Sequence, residues 1–347
     1  VFYSEGKSYW PIFRGIIKII LKVSDLNIVF ITSDKKDPAF NHENTRFKVY
    51  LTDEKYVRRW LFANLDANLV IMTMPDLNKD NFIRSKYKGH YLYIQHGLVS
   101  LHMAYRFGAF DYFDSIFCAG PHHVNEIQLI EKLYNLPKKK LFKHGYARFD
   151  LLFSKRKKIN SKTKIKCILF APTWGEKASI ESGIANNLIE KILLLGYKII
   201  FRPHPESYKS SYLKIKKLLI KYSHNKNFFY DKNISSMESY ISSDALITDW
   251  SGSAIEYSLA LKKPVIFLDL PKKINNQKYL DINIEPIEIS IRNKIGIIVN
   301  IQDITYELIT SLETKKINID NIVYNLGNSD HYGAKYILEI LNYKSLK

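Results

Sequence analysis

The sequence predicts an α/β protein with two doubly wound domains that face a central cleft. Short apolar runs alternate with segments of helical spacing along nearly the whole chain, which is typical of parallel sheets covered by helices. The alternation is interrupted once, by the basic stretch at residues 154–166, and then restarts. Polar clusters follow several apolar runs, where the carboxyl ends of parallel strands collect ligands. We therefore expect an N-terminal domain over residues 1–153 and a C-terminal domain over residues 154–347, whose last helix could pack back on the N-terminal domain.

The first half contains the apolar runs expected of one sheet. Strands are predicted at Asn27–Thr32, Phe47–Leu51, Ala67–Met72, Tyr91–Ile94, Ser115–Ala119 and Leu141–Lys143. Helices are predicted from Pro11 onward, over Asp53–Asn64, and from about Pro121 to Asn135. Pro11 suits the first helical position because its φ is already fixed. Tyr56, Trp60 and Leu61 are expected to form the buried stripe of the second helix, and Tyr3–Trp10 to be a polar, aromatic opening.

The second half repeats the pattern. Strands are predicted at Cys167–Phe170, Lys198–Phe201, Asn227–Tyr230, Ala245–Thr248, Val265–Leu268 and Ile295–Val299. Helices are predicted at about Ile184–Leu195, Ser210–Tyr222, Ser235–Ile241, Ala254–Lys262, Ile304–Leu312 and Ala334–Leu341. The basic stretch between the halves is interpreted as a solvated linker, with a polymer- or membrane-binding segment as the alternative.

Composition narrows the class of protein. With 46% hydrophobic and 25% charged residues in 347, the chain is globular rather than disordered. Its net charge of +18 favours acidic partners, although an AT-rich genome would supply part of the lysine excess. Cys118 and Cys167 suggest no disulfide framework, which favours a reducing cytoplasm. No apolar run has the length of a transmembrane helix, and no signal-peptide pattern is present.

One stretch, Ala245–Asp269, has the pattern of strand, tight turn, helix and strand. The helix start at Ser251-Gly252-Ser253 offers backbone N–H groups, two hydroxyls and a positive dipole end, which suit a phosphate. An ordinary βαβ unit with a serine cap explains the same residues equally well.

Two histidines follow predicted strands. His96 precedes Gly97, which lets a substrate come close, and its ring could accept a proton from a hydroxyl. A structural histidine bonded to a loop carbonyl is the alternative. His204 lies between two prolines after Arg202, and either residue could neutralise a phosphate, although rigid loops without a ligand are also common.

Other catalytic signatures are missing from the sequence. His102, His122 and His123 have no cysteine or carboxylate at a convincing spacing to complete a metal site. The sequence contains no Walker A loop, no G-x-G-x-x-G and no G-x-S-x-G motif. It also has no RRM or zinc-finger signature, so nucleic acid binding would depend on charge alone.

Taken together, the motifs resemble those of the CDP-glycerol glycerophosphotransferase family, which makes teichoic acid and related capsule polymers. The matching segments follow the family's order and span nearly the whole chain. They are Tyr3-Ser4-Glu5-Gly6-Lys7-Ser8-Tyr9 with Pro11, His96-Gly97, Gly145-Tyr146-Ala147-Arg148-Phe149-Asp150, Ala171-Pro172-Thr173-Trp174, Arg202-Pro203-His204-Pro205, Thr248-Asp249-Trp250-Ser251-Gly252-Ser253 and Tyr332-Gly333-Ala334-Lys335.

The chain departs from the family pattern at several positions. Leu98 follows His-Gly where the family has proline and lysine nearby, Gly252 replaces a serine, and Ala147 replaces a proline. Asp330 stands two residues before Gly333 rather than one. These differences leave open which group is transferred.

The resemblance implies a GT-B-like fold of two Rossmann-like domains. The second would hold the nucleotide donor and the first the acceptor, in a metal-independent reaction without a cofactor. It implies an EC 2.7.8 type phosphotransferase that moves glycerol phosphate, or a related alditol phosphate, from CDP-glycerol to a hydroxyl of a polymer or lipid-linked primer, releasing CMP.

Roles for individual residues follow from that resemblance. His96 is the expected general base, and His204 with Arg202 is expected to stabilise the pyrophosphate. The expected donor-binding residues are Thr173, Trp174, Thr248, Asp249, Ser251, Gly252 and Ser253. Asp249 would either orient its loop or meet the nucleotide. Gly97, Arg148 and Asp150 would bind the acceptor or be structural.

Two other functions remain open at this point. One is a CMP-sugar-dependent glycosyltransferase of the sialyl or Kdo type, and the other is a non-enzymatic polyanion-binding protein. No nucleic acid partner is expected. We expect a cytoplasmic protein at the inner face of a bacterial membrane, because such acceptors are lipid-linked. Ile12–Lys22 could lie on an anionic membrane surface or be a core helix.

Overall fold

A computed structural model describes residues 1–79, 82–156, 164–233, 237–317 and 321–343. The chain forms two compact units. The first comprises Val1–Leu151, Asn275–Ile284 and Asp320–Lys347, and the second comprises Leu152–Ile274 and Glu285–Ile319. The C-terminal domain was expected over residues 154–347, with a last helix that could pack back on the N-terminal domain. Two of its segments, Asn275–Ile284 and Asp320–Lys347, fold with the first unit. Most of the basic stretch, residues 157–163, lies outside the described residues.

The described strands form two sheets. They are β1 Phe2–Ser4, β2 Ile28–Thr32, β3 Phe47–Leu51, β4 Leu69–Met72, β5 His90–Ile94, β6 Ser115–Cys118, β7 Lys140–Lys143, β8 Cys167–Phe170, β9 Lys198–Phe201, β10 Phe228–Tyr230, β11 Ala245–Thr248, β12 Val265–Leu268 and β13 Gly296–Val299. The first unit has the order β3-β2-β1-β4-β5-β6-β7 and the second β10-β9-β8-β11-β12-β13. Every described pairing is parallel, for example Phe2 with Phe30 and Ile247 with Phe170. The α/β class with two doubly wound sheets is therefore confirmed.

Helices connect the strands in both units. They are α1 Trp10–Val23, α2 Lys55–Ala63, α3 Pro121–Leu133, α4 Ala147–Arg156, α5 Ile184–Leu194, α6 Pro205–Ser210, α7 Tyr212–Tyr222, α8 Glu238–Ser242, α9 Ser253–Leu261, α10 Ile287–Ser290, α11 Arg292–Ile295, α12 Tyr306–Ser311 and α13 Ser329–Ile340. Short 3-10 turns occur at Lys7–Tyr9, Pro38–Asn41, Gln277–Asp281, Ile301–Asp303 and Leu312–Thr314. No described helix combines the length and the apolar character needed to cross a bilayer.

The first sheet contains a central strand that the sequence analysis missed. β1 lies between β2 and β4, and its three residues are buried. Tyr3 and Ser4 belong to the segment that was expected to be a polar opening. A run this short carries too few residues to show an apolar pattern, but pairing on both sides satisfies its backbone groups.

The buried stripe predicted for α2 is wrong for Tyr56 and Trp60, whereas Leu61 is half-buried and packs against the core. Tyr56 is 83% exposed and Trp60 is 68% exposed, whereas Phe62 is fully buried. The Phe62 ring lies 5.1 Å from that of Tyr3 and 5.2 Å from that of Phe82. The helix is therefore anchored by the aromatic residue near its end, and its earlier aromatic residues face solvent.

α1 is a core helix of the first unit. Its apolar stripe, which includes Ile12, Ile16 and Ile20, is buried, so this face is not presented to a membrane. The helix packs closely against α13. A Cβ at Gly15 would lie 1.9 Å from Asp330 Oδ2, so the approach of the two helices requires a glycine there. This packing explains why the last helix belongs to the first unit.

The second unit contains a helix that was expected to be a loop. α6 begins at Pro205, and His204 is its N-cap residue. A proline at the first helical position is favourable because its missing N–H would have no intrahelical partner. The helix predicted over Ser210–Tyr222 begins only at Tyr212. Residues 235 and 236 of the predicted Ser235–Ile241 helix lie outside the described residues.

Candidate active site

The polar residues that follow β8, β9 and β11 lie at one edge of the second sheet. These strands are neighbours in the order β9-β8-β11, and parallel strands present their carboxyl ends at the same edge. The segments concerned are Ala171–Trp174, Arg202–Pro205 and Asp249–Ser253. The sequence analysis placed its donor-binding residues on these segments.

The buried Asp249 carboxylate is the hub of this edge. Its Oδ1 accepts hydrogen bonds from the backbone N–H groups of Thr173 and Trp250, both at 2.7 Å. Its Oδ2 accepts from the Ser179 N–H at 2.9 Å and from the Ser179 hydroxyl at 2.6 Å. Four donors thus converge on one carboxylate. These contacts correspond to the loop-orienting alternative that the sequence left open for Asp249.

Thr248 is also engaged internally. It is fully buried, and its Oγ1 donates to the carbonyl of Ala171 at 2.7 Å. This bond joins the ends of β11 and β8. The hydroxyl predicted to contact the donor therefore already has a protein partner.

Arg292 supports the same turn from another segment of the chain. Its Nη2 donates to the carbonyl of Asp249 at 2.7 Å, and its guanidinium lies 3.5 Å from the Trp250 ring centroid and 4.6 Å from that of Phe267. Burial lowers the pKa of Arg292 to about 10. Sequence reasoning missed this residue because nothing in its local pattern indicates the contact with Asp249.

Arg202 does not have the environment predicted for a phosphate ligand. The residue is buried, and its Nη1 donates to Ser239 Oγ at 2.7 Å and lies 3.6 Å from Asp231 Oδ2. Its guanidinium also stacks 4.8 Å from the Tyr240 ring centroid. These partners hold the guanidinium of Arg202 inside the second unit, at the end of β9. Its predicted role as a phosphate ligand stays a prediction.

His204 is half-buried beside Trp174. Its Nδ1 accepts from the Glu206 N–H at 3.2 Å, so a neutral ring carries its proton on Nε2. The two rings lie 6.0 Å apart with an interplanar angle of 31°. Burial, together with the charges of Lys273 and Lys209, lowers the pKa of His204 to about 4. At neutral pH the residue is therefore a hydrogen-bond donor rather than a cation.

The turn before α9 presents the two predicted serines. Ser251 Oγ lies 2.8 Å from Ser253 Oγ and accepts from the Ser253 N–H at 3.3 Å. Gly252 is the N-cap residue, and all three residues are half-buried. The segment predicted to bind a phosphate is thus a turn with two hydroxyls at a helix start, an arrangement that suits an anion.

Lys273, which sequence reasoning missed, completes the cluster. Its Nζ donates to Thr173 Oγ1 at 3.1 Å and lies 4.0 Å from the Trp174 ring centroid. Burial lowers the pKa of Lys273 to about 8. Its position shortly after β12, at the same edge of the sheet, was the signal that could have identified it.

In the first unit, His96 is held in one tautomer. Its Nδ1 lies 2.9 Å from the carbonyl oxygen of Thr73, and a carbonyl can only accept, so Nδ1 carries the proton. Tyr93 Oη lies 3.1 Å from the same nitrogen. Nε2 is then the basic nitrogen, with Tyr105 Oη at 3.4 Å. This is the protonation pattern that a general base requires.

The environment also keeps His96 neutral. Burial lowers the pKa of His96 to about 4, so the ring is unprotonated at neutral pH. Its backbone carbonyl accepts from Tyr146 Oη at 2.8 Å, which fixes the strand end. At Gly97 an added Cβ would meet only Val99 Cγ2, at 3.9 Å. The space at the Gly97 α-carbon is therefore open, while the rings of Tyr9, Tyr93 and Tyr105 pack around the His96 ring.

Two of the other histidines hold the loop that follows His96. His122 Nε2 donates to the carbonyl of Leu98 at 3.1 Å, and His123 Nε2 donates to that of Val99 at 2.9 Å. Both histidines lie at the start of α3. Their ring nitrogens serve the backbone of this loop, which is a structural role.

His102 and Glu126 complete the support of this loop. Glu126 Oε2 accepts from the Leu101 N–H at 2.5 Å and lies 3.3 Å from His102 Nδ1. His102 Nε2 donates to the carbonyl of Ile284 at 3.2 Å. Among the described residues, no group of three histidine, cysteine or acidic side chains could hold a metal ion.

Asp150 is placed as a structural residue. Its Oδ1 accepts from the Gly327 N–H at 2.7 Å, and its Oδ2 accepts from the Ser329 N–H at 2.9 Å and from the Ser329 hydroxyl. It therefore satisfies backbone donors at the start of α13. Arg148 lies in the first turn of α4 and is half-buried.

Comparison with known proteins identifies the family. Residues 10–325 match the sequence model of CDP-Glycerol:Poly(glycerophosphate) glycerophosphotransferase. The chain belongs to this family. The resemblance seen in the ordered motifs is thereby confirmed, and the glycerophosphotransferase family membership makes the chain a transferase enzyme. A search of curated protein sequences found no match.

Solved structures show the fold of this glycerophosphotransferase family member. The UDP-GlcNAc 2-epimerase of Methanocaldococcus jannaschii, solved with UDP-GlcNAc and UDP, has a TM-score of 0.64 and 17% identity, with 99% of each chain covered. That of Neisseria meningitidis, bound to UDP-GlcNAc, has a TM-score of 0.63 and 13% identity, with 98% of each covered. A glycosyltransferase from Rickettsia africae has a TM-score of 0.50 and 14% identity, covering 99% of this chain and 98% of its own. The GT-B-like fold is thus confirmed.

We expect Asp249→Asn to destabilise the second unit even without nucleotide. The amide would present N–H groups where the carboxylate accepts backbone hydrogen bonds, which costs about 1–3 kcal/mol for a buried mispaired group. Urea unfolding of the nucleotide-free protein measures this cost. Asp303→Asn, at an exposed carboxylate of the same unit, is the control and should unfold like the wild type. Unchanged stability with lost nucleotide binding would instead mean that Asp249 meets the ligand.

We also expect His96 to remain a neutral Nδ1–H tautomer from about pH 7.5 to about pH 5.5. Because its pKa is lowered to about 4, protonation begins only as the pH falls towards that value. Nitrogen-15 NMR of histidine-labelled protein measures both the tautomer and the titration. The His96→Gln variant assigns the signal by its disappearance. A titration midpoint near 6.5, or an Nε2–H tautomer, would contradict the assignment.

Proposed function

We propose that the protein transfers glycerol phosphate, or a related alditol phosphate, from a CDP-linked donor to a hydroxyl of a cell-surface polymer or lipid-linked primer. The acceptor oxygen attacks the β-phosphorus. A new O–P bond forms while the bond between the β-phosphorus and the bridging oxygen of CMP breaks. The acceptor proton goes to a base on the protein, and the electron pair of the broken bond leaves with CMP.

The unprotonated Nε2 of His96 is the observation that carries this proposal. Its tautomer is set by the bond to the Thr73 carbonyl, and Tyr105 Oη lies 3.4 Å from it. A base in this state can accept a hydroxyl proton at neutral pH. Membership of the glycerophosphotransferase family, which implies a CDP-glycerol donor and a polymer acceptor, supports the same reaction.

The cluster of the second unit supplies the donor-binding groups in this proposal. His204 donates from Nε2 to a phosphate oxygen, and the Ser251 and Ser253 hydroxyls with the start of α9 hold the diphosphate. Trp174, which is 37% exposed, offers a flat face for the cytosine ring. These groups recognise a nucleotide diphosphate without a cofactor.

Incubation with CDP-glycerol, CDP-ribitol and CMP-sugars, with CMP release as the readout, tests the proposal. We expect release from a CDP-alditol. His96→Ala should lower turnover by about 10²–10⁴-fold, the usual contribution of a general base, while CDP affinity stays near that of the wild type. His331→Ala, at an exposed histidine of the first unit, is the control.

Other results would favour one of the alternative functions or change the role of His96. Release only from CMP-sugars would favour a glycosyltransferase of the sialyl or Kdo type. Absence of nucleotide binding, with polyanion affinity that survives loss of His96 and His204, would favour a polyanion-binding protein. Near wild-type turnover by His96→Ala would remove His96 from the role of base.

We also propose that the protein docks peripherally on the anionic, inner face of the cell membrane through the exposed face of α2. Tyr56 and Trp60 are four residues apart on this helix and highly exposed, and Lys55 and Arg59 are exposed beside them. Amphipathic aromatic rings suit the headgroup region, and the cations complement anionic lipids. The occupant of this surface is thus an anionic phospholipid bilayer.

Co-sedimentation with vesicles tests this surface. We expect the wild type to bind phosphatidylglycerol-containing vesicles but not pure phosphatidylcholine, with binding weakened by salt. The Tyr56→Ala/Trp60→Ala double variant should bind at least several-fold more weakly. Tyr212→Ala, at a tyrosine of the second unit that is 56% exposed, is the matched control. Equal binding by all three proteins would exclude α2 as the membrane surface.

A further inference from the structure

We infer that Lys273 is the residue that binds the donor's diphosphate by charge, the role the sequence suggested for Arg202. The inference rests on the proposed function, because it assumes that the cluster around His204 holds a nucleotide. It adds a cationic ligand on a segment that none of the family motifs contains. Two observations support it, namely the position of the Lys273 Nζ atom and the groups that surround this atom.

The Lys273 ammonium sits among the groups already placed around the donor. It donates to Thr173 Oγ1 at 3.1 Å and lies 4.0 Å from the Trp174 ring centroid. The same indole lies 6.0 Å from the His204 ring. Thr173 is fixed in turn by the Asp249 carboxylate. Lys273 therefore occupies a defined position at the sheet edge instead of extending into solvent.

The charge of Lys273 has no matching carboxylate nearby. Across the part of the chain that the structure describes, no acidic side chain lies within salt-bridge distance of its Nζ. Asp249, Glu181 and Glu206 act on it only from further away and raise its pKa less than burial lowers it. Asp249 already accepts from four protein donors. An anionic ligand would supply the missing counter-charge.

Arg202 provides the contrast within the same unit. It is buried to a greater extent than Lys273 and lies beside Asp231, with Ser239 and Tyr240 as further partners. A guanidinium with such partners gains little from a phosphate, since it would have to leave them. A partly buried ammonium that has only a hydroxyl and an aromatic face gains more, because the ligand offsets its desolvation.

His204 and Lys273 then have different roles in this site. The charge of Lys273 helps to keep the His204 ring neutral, so His204 donates one hydrogen bond while Lys273 supplies the positive charge. A lysine is a point charge with three donors and suits adjacent phosphate oxygens. The leaving CMP gains negative charge as the bond breaks, and the same ammonium is placed to stabilise it.

A purely structural role would predict a different pH dependence. If Lys273 only supported Thr173 and Trp174, its substitution would change stability, and nucleotide affinity would not follow the protonation of an amine. As a charge partner, Lys273 must be protonated to bind the diphosphate. Since its pKa is lowered to about 8, wild-type affinity should fall as the pH rises above about 8, by up to about tenfold per pH unit.

Isothermal titration calorimetry with CDP, UDP and inorganic pyrophosphate, from about pH 6.5 to about pH 9.5, tests the inference. We expect Lys273→Gln to weaken CDP binding by about 10–100-fold at pH 7, as for loss of a charge-assisted contact, and to abolish the decline above pH 8. Lys273→Arg should retain most of the affinity and also lose the decline, because arginine stays charged. Lys272→Gln, at the adjacent exposed lysine, is the control and should match the wild type.

The ligands separate failure of this inference from failure of the proposed function. If CDP binds and Lys273→Gln retains wild-type affinity and pH dependence, the inference is overturned while the CDP donor stands. If CDP does not bind but UDP or pyrophosphate does, in a Lys273-dependent way, the inference stands and the CDP donor is wrong. Absence of binding by all three ligands would overturn both.

Discussion

A single buried carboxylate sets the geometry of the second unit. Asp249 accepts four hydrogen bonds, and these tie the loop after β8 to the turn after β11. Thr173 and Trp174 take their positions from that loop. The cluster proposed to bind the donor thus depends on Asp249, whose carboxylate is engaged by hydrogen bonds within the protein. Arg292, which bonds the Asp249 carbonyl, extends this support to the other side of the turn.

In the first unit, hydrogen bonds within the protein likewise position His96, the proposed base. The Thr73 carbonyl selects the His96 tautomer, and Tyr146 fixes the His96 backbone. Side chains from α3 hold the loop that follows. In both units, some residues at the strand ends use their polar groups for hydrogen bonds within the protein, and others are the ones proposed to meet a ligand. His96, His204 and Lys273 belong to the second group, and Asp249 belongs to the first.

Sequence periodicity predicted most strands and helices, because long apolar runs and turn residues carry that information. It failed where tertiary contacts decide. β1 is too short to show a pattern, and the aromatic spacing of α2 did not reveal which face Phe62 would anchor. For the candidate site, residue type and strand-end position indicated which polar groups gather at one edge of the second sheet. They could not show that Arg202 lies beside Asp231, or that no carboxylate of the described residues lies within salt-bridge distance of Lys273, since such contacts join distant segments.

In the proposed reaction the acceptor hydroxyl attacks the β-phosphorus of the donor. This is tested by following the β-phosphate of CDP-glycerol, labelled with phosphorus-32 at that position only, into the products of a reaction with a primer. We expect all of the label to move to the polymer and the released nucleotide to be unlabelled CMP. Labelled CDP as the released nucleotide would show attack at carbon and would contradict attack at the β-phosphorus.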